Sequence, residues 1–262
     1  MVRKGLVCEK EDWIGINQAL ETFRVAVVKN FWSDSDFALL KQYQSSVEDW
    51  FFNSPNKLDY LTTDANDEGY HKLYEHWINP DYRDYKEGYG MLSRNDPASL
   101  PPEWGSQFIW VRDKLFEYMI GFATHYNIES KLSYDHNISY VVHYPPCKEE
   151  HPCAPHFDRN IITTIVSHDP NKVLQVKYED DWLTVPYVEN SVVLMVGMSF
   201  QWLTEEKIKA CWHRVAPTDQ SSFSTILFSY TTDRKINLML NQWKEWKAKK
   251  AQKRDEALAW NG

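Results

Sequence analysis

The chain reads as mainly β with flanking α-helices, and three observations predict that class. Residues 138–230 carry a succession of short runs rich in Val, Ile, Thr and aromatic residues. Asp-Pro-Asn, Glu-Asp-Asp and Glu-Asn-Ser turns separate those runs, with no helical stretch long enough for a parallel crossover between them. Ahead of them, longer stretches repeat apolar residues at helical spacing. Closely spaced strands of this kind indicate a sandwich or jelly roll rather than a parallel α/β sheet.

Taken in order, Phe23–Val28 is a β-branched strand. Ser33-Asp34-Ser35-Asp36 then offers helix-capping chemistry, and Phe37, Leu39, Leu40, Tyr43, Val47 and Trp50 follow near helical spacing. Residues 54–105 are polar and rich in Asp, Asn, Tyr and Pro, and read as loops and short helices draped over the body. From Ser106 to about Asn127, Phe108, Leu115, Phe116, Met119, Ile120 and Ala123 mark one buried helix face. Strands are expected at Ile138–Tyr144, Ile161–Val166, Val173–Tyr178, Trp182–Val185, Ser191–Val196, Cys211–Val215 and Ser224–Tyr230. A last helix covers about 234–258. With no internal repeat and no low-complexity linker, residues 1–262 read as a single domain. Its parts are a helical leader over about 1–137, a strand core over about 138–232 and the C-terminal helix.

Composition narrows the function. An apolar fraction of 43% fills a core, and 12 Trp, 15 Tyr and 12 Phe make that core bulky and suited to line an apolar or planar pocket. A net charge of −8 argues against a general nucleic-acid or anionic-membrane surface. Lys244, Lys247, Lys249, Lys250, Lys253 and Arg254, interleaved with Trp243, Trp246 and Trp260, read as an amphipathic helix packed on the body. The first residues lack a signal-peptide apolar run and no stretch approaches 18 apolar residues. Cys8, Cys147, Cys153 and Cys211 show no C-x-x-C spacing, so reduced thiols and a cytoplasmic location are expected.

His156-Phe157-Asp158, followed by His213 in Cys-Trp-His-Arg-Val, carries the chemistry. On an extended strand His156 and Asp158 point to one face, and a facing strand can bring His213 to them. Two imidazoles and one carboxylate occupy one face of a metal and leave the other open, an arrangement suited to Fe(II). Zn(II) more often recruits a fourth protein ligand.

The residues around that trio resemble the core of the isopenicillin N synthase and 2-oxoglutarate dioxygenase superfamily. Val142-His143-Tyr144-Pro145-Pro146-Cys147 is similar to its tyrosine-proline-proline-cysteine segment, and Pro155-His156-Phe157-Asp158 with Ile162-Thr163-Thr164-Ile165 to its H-x-D strand and the strand after it. Leu174-Gln175-Val176, Trp182–Val185, Ser191–Gly197, Phe200–Thr204 and Trp212–Val215 follow in the family's order. The resemblance implies a double-stranded β-helix, or jelly-roll, core with His156, Asp158 and His213 as iron ligands.

One position departs from the pattern. The family usually carries Arg-x-Ser on the last core strand, its arginine forking onto a carboxylate of 2-oxoglutarate or of the substrate. Here Ser224 stands for the serine and Tyr144 for its usual companion, but Ser222 stands for the arginine. A buried carboxylate needs a paired charge, and Lys172 or Lys177 is the candidate replacement. The resemblance therefore implies an Fe(II) oxidase or oxygenase that activates O2 to oxidise a small molecule by hydroxylation, desaturation, cyclisation or C–C cleavage. Use of 2-oxoglutarate is left open. A catalytically silent jelly-roll binding protein is the reading from another class, and a zinc hydrolase lacks an obvious general base. Neither substrate nor oligomeric state is written in these motifs.

Overall fold

A computed structural model describes residues 3–62, 68–75, 84–92, 100–148, 152–171 and 173–242. Two sheets face each other. The larger has the order β1 (Val7–Glu9), β2 (Val25–Lys29), β10 (Ser191–Val196), β7 (Ile162–Ser167), β12 (Ser222–Ser229), β5 (Ile138–Tyr144), β4 (Glu87–Leu92), β3 (Gly69–His71). The smaller runs β6 (Cys153–His156), β11 (His213–Val215), β8 (Leu174–Tyr178), β9 (Asp181–Thr184). Among the described strands, the pairings other than the parallel β1–β2 edge pair are antiparallel. This is the jelly-roll core that the strand spacing predicts.

Strand alternation assigns the faces. On β12, Ser222, Ser224, Ile226 and Phe228 line the space between the sheets. Phe223, Thr225 and Leu227 point the other way and are buried under helices. Those helices are α2 (Asp34–Asn53) and α3 (Gly105–His125), which pack on each other, α3 also lying on β12. The Ser33 hydroxyl accepts the Asp36 N–H at 3.2 Å and starts α2, with Asp34 and Asp36 in its positive first turn. Trp50 meets Trp104 edge-on at 5.6 Å, and Phe51 meets Phe223 at 5.7 Å, so the aromatic residues of the leader fill the layer behind the sheet. α1 (Trp13–Phe23) covers β1 and β2. Among the described residues no helix is long and apolar enough to cross a membrane.

Sequence and structure differ in several places. The stretch read as loops and short helices contributes two strands, β3 and β4, which extend the large sheet. β4 reads Glu-Gly-Tyr-Gly-Met-Leu, without a β-branched residue, and its strand geometry comes from pairing with β5. Gly88 is needed for that pairing, because a Cβ there would lie 2.8 Å from the Val141 carbonyl oxygen. Second, β11 begins at His213, so Cys211 lies outside it. Residues 234–242 are helical, and the remainder of the expected C-terminal helix, with its basic cluster, lies outside the described residues.

A buried polar chain ties α2 to the sheet: Tyr43 Oη lies 2.8 Å from Thr225 Oγ1, itself 2.8 Å from His168 Nε2. Burial, with Lys41 nearby, pushes the His168 pKa down to about 3. An unfolded histidine titrates near 6.5, so below that pH the unfolded chain takes up a proton that the folded one refuses. The His168 contribution is fully present above pH 6.5 and is lost as pH falls towards 3. Between pH 7 and pH 5 it should remove about 2 kcal/mol of stability. Denaturant melts of wild type and His168→Gln at both pH values check this; an equal loss in the two proteins would rule it out.

Candidate metal centre

β6 ends at His156 and β11 begins at His213, and the two residues sit directly opposite each other in the small sheet. Their ring centroids are 4.1 Å apart. Asp158 lies two residues beyond β6, in the bend that leaves it, rather than on the strand as alternation alone predicts. The bend is held by the Met198 N–H, which donates to the Asp158 carbonyl at 2.8 Å. Beside it Gly197 passes so close that a Cβ would lie 2.1 Å from the Asn160 carbonyl oxygen. Asp158 Oδ1 is consequently 3.4 Å from His156 Nε2 and 3.8 Å from His213 Nε2. One ligand atom from each of the three residues falls within 4.8 Å of the others, a spacing that could hold a metal ion.

The surrounding groups aim these atoms. His156 Nδ1 is 2.8 Å from the Ala154 carbonyl and His213 Nδ1 is 3.2 Å from the Cys211 carbonyl. A carbonyl only accepts, so each Nδ1 carries the proton and donates it, which turns both Nε2 atoms towards Asp158. Thr163, from β7 of the large sheet, donates its hydroxyl to Asp158 Oδ2, and Asn160 Nδ2 donates to Thr163 Oγ1 at 3.0 Å. Asp158 Oδ1 is left facing the imidazoles.

The trio is 8, 9 and 6% exposed for His156, Asp158 and His213, so its charges interact with little water between them. Burial opposes ionisation of Asp158, but His213, His156 and Thr163 outweigh it and hold the carboxyl well below the usual range. Burial and the neighbouring His156 push His213 down to about 4. His156 goes the other way, to about 10, because Cys153 and Asp158 outweigh the burial cost. The arrangement favours a cation beside an ionised carboxylate. Two imidazole nitrogens and one carboxylate oxygen on one side fit a divalent metal of the iron type with open positions opposite.

A cavity of about 250 Å3 opens from this point between the sheets. Tyr144 and Ser224 both line it. Lys177 does not: its ammonium turns to the Asp180 carbonyl and lies 5.7 Å over the Trp182 ring. Lys172 lies outside the described residues. Ser222 lines the cavity, and the position where an arginine is expected is next to a carboxylate. The Ser222 hydroxyl donates to Asp169 Oδ1 at 3.3 Å, the Asn171 N–H to the same oxygen at 2.8 Å, and the Phe223 N–H to Oδ2 at 2.6 Å. Burial raises the Asp169 pKa despite these donors.

Sequence reasoning missed Lys86, which lines the cavity from the residue just before β4. Its Nζ is 2.9 Å from the fully buried Asp84 carboxylate and 3.9 Å from Cys153 Sγ. Burial opposes its charge, yet Cys153, Tyr144 and Asp84 together hold its pKa above the ordinary lysine range. In sequence Tyr-Lys-Glu-Gly looks like a turn, and only the pairing of β4 reveals it. Arg214 faces away from the trio, its Nε donating to Gln175 at 2.8 Å, and Arg159 is exposed at the cavity mouth. His143 bonds Glu87 at 2.8 Å on the outer side of β5, while His151 lies outside the described residues.

Residues 134–231 match the family described as the 2OG-Fe(II) oxygenase superfamily, named for iron(II) and 2-oxoglutarate. Over 95 residues the chain is 28% identical to 1-aminocyclopropane-1-carboxylate oxidase 5 of Arabidopsis thaliana, spanning 34% of this chain and 30% of that relative. Over 155 residues it is 28% identical to flavonol synthase/flavanone 3-hydroxylase of Petunia hybrida, spanning 54% of this chain and 38% of that protein. The chain thus matches well under half the length of either curated relative. Among solved structures, JOX2 in complex with 2OG, Fe and JA shares the fold with a TM-score of 0.73 at 18% identity, over 87% of this chain and 75% of that one. The dioxygenase for auxin oxidation 1 of Arabidopsis thaliana, in complex with 2-oxoglutarate, gives 0.70 at 14% identity, over 87% of this chain and 92% of that one. The match to the 2OG-Fe(II) oxygenase superfamily thus covers the strand core of this chain, residues 134–231.

Proposed function

We propose that the protein is a non-haem iron(II) oxygenase that uses O2 and 2-oxoglutarate to oxidise a small, largely apolar molecule, with His156, Asp158 and His213 as the metal ligands. One observation carries the reading: both imidazoles donate Nδ1 to a backbone carbonyl while Thr163 occupies the far oxygen of Asp158, so three donor atoms converge on one point. A buried scaffold has no need of that convergence, and removing one partner would be costly. Bound there, iron(II) would supply O2 activation and the oxidation of a C–H bond.

The rest falls to the chain's own residues. The two sheets exclude water from the trio, and Ile165, Val193, Met195, Val215, Ile226 and Phe228 give the cavity an apolar wall. Phe157 and Trp212, tilted against each other with ring centroids 4.6 Å apart and 37 and 36% exposed, flank the ligands on the outside, where a substrate would enter. The match to that family and the similar structures solved with 2OG or 2-oxoglutarate support the cosubstrate reading. Tyr144 and Ser224 would offer hydroxyls to its carboxylate.

Anaerobic titration with iron(II) tests the metal site. His213→Ala and Asp158→Ala should each lower affinity by about 100-fold or more, and Thr163→Val, which only orients a ligand, by about 10-fold. Unchanged affinity in Asp158→Ala would remove the reading and leave a silent binding scaffold. Adding 2-oxoglutarate to the anaerobic iron(II) protein should produce a weak visible charge-transfer band, with succinate formed once O2 is admitted. Absence of both would reject 2-oxoglutarate as the cosubstrate.

A further inference from the structure

We propose that the ammonium of Lys86 receives the distal carboxylate of a 2-oxo dicarboxylate in this cavity, taking the role that the absent arginine at position 222 leaves open. The inference rests on the reading above that such an acid is the cosubstrate.

Register supplies the position. Ser222, the first residue of β12, is paired with Tyr144, the last residue of β5. On the other side of β5, Glu87 is paired with His143, which brings Lys86, one residue earlier, level with Tyr144. Ser222, Tyr144 and Lys86 thus form a row across three neighbouring strands at one end of the cavity, and all three line it. The row is joined to the metal centre through β6: Lys86 Nζ approaches Cys153 Sγ at 3.9 Å, three residues before His156 on the same strand.

Charge selects one end of that row. At the Ser222 end stands Asp169, its oxygens held by Ser222, Asn171 and Phe223, and an incoming carboxylate would be repelled there. At the other end stands a cation. Among the described residues the lysine and arginine that line the cavity are Lys86 and Arg159, and Arg159 is exposed at the mouth. Asp84, 2.9 Å away, offsets the cost of burying the Lys86 charge, and of the three N–H donors on the ammonium one points to Cys153 Sγ, so that a further donor remains for an incoming oxygen. The Tyr144 phenol next to it, which burial keeps protonated, supplies a neutral donor. One ammonium and one phenol can serve the two oxygens of a carboxylate, where an arginine would serve both alone.

The test compares two acids with the same chelating head, 2-oxoglutarate and 2-oxopentanoate, which lacks the distal carboxylate. Each is titrated into the anaerobic iron(II) protein and followed by its charge-transfer band. Wild type should prefer 2-oxoglutarate by about 30-fold or more, the scale for losing one partner of a buried charge pair. Lys86→Met in an Asp84→Asn background removes the ion pair as a unit; it should bind both acids equally, with iron affinity unchanged. Asp84→Asn alone frees the ammonium and should keep or increase the preference. A preference that survives in the double variant overturns the proposal. So does equal affinity in the wild type, a comparison that needs no variant to fold. If neither acid binds, the cosubstrate reading itself fails, an outcome distinct from binding without discrimination.

Discussion

The pairing of His213 with His156 across β6 and β11 is the constraint on which the rest of the structure depends. Side chains alternate along a strand, so a slip of one residue would turn His213 to the opposite face and leave two ligands without their third. The register is held on both sides: β11 also pairs with β8, with His213 opposite Val176. Between His213 and Val215 the pairing with β6 shifts, so that Val215 meets Cys153, an irregularity that re-aims the strand beside the site. The small sheet sets two ligands, but it cannot orient the carboxylate. That comes from Thr163 on β7 of the large sheet, and the site therefore exists only where the two sheets close on each other.

The same closure explains why the large sheet is buried on both faces. β12 shows serines and apolar residues to the cavity and Phe223, Thr225 and Leu227 to the helices. Several polar groups on the outer side are joined in chains: Tyr43 to Thr225 to His168, and Tyr70 to Glu87 to His143, with Ser221 3.2 Å from His143 Nε2. His143 also stacks on Phe223 at 4.2 Å. These networks couple α2 and β4 to the strands whose inner faces form the cavity. Lys86 and Glu87 are adjacent in sequence, one facing inward to Asp84 and one bound outward to His143. Strand alternation lets β4 fix the leader and reach the cavity at once.

How much of this was legible depends on what each residue answers to. His156, Asp158 and His213 could be read because the ordered motifs around them fix strands whose hydrophobic pattern is local. Ile138–Tyr144 and Ser191–Val196 match their expected bounds. β12 starts at Ser222, two residues before the expected Ser224, because Asp169 binds Ser222 and the Phe223 N–H from another loop. β4 was illegible for a related reason: a Gly-rich hexapeptide becomes a strand only because β5 is beside it. Expecting Asp158 on the strand with His156 assumed that alternation continues, whereas contacts with Met198 and Gly197 set the bend. Lys177 was a plausible inward cation by sequence distance, but Trp182 on the neighbouring strand draws it outward.

The serine at position 222 therefore belongs with its surroundings rather than standing as a single loss. An arginine there would lie against Asp169 and spend its charge on that carboxylate, since a close buried pair satisfies itself first. Asp169 in turn serves the backbone: it accepts from the Phe223 and Asn171 N–H groups and closes the loop between β7 and β8 onto the start of β12. With the carboxylate committed to that closure, a small hydroxyl is the residue that fits beside it without adding a charge. On the opposite side of Tyr144 the polarity is reversed, and Asp84, fully buried, holds Lys86 in its charged form. The polar end of the cavity is thus built as two opposed halves, and any anion that enters is driven across Tyr144 towards β4.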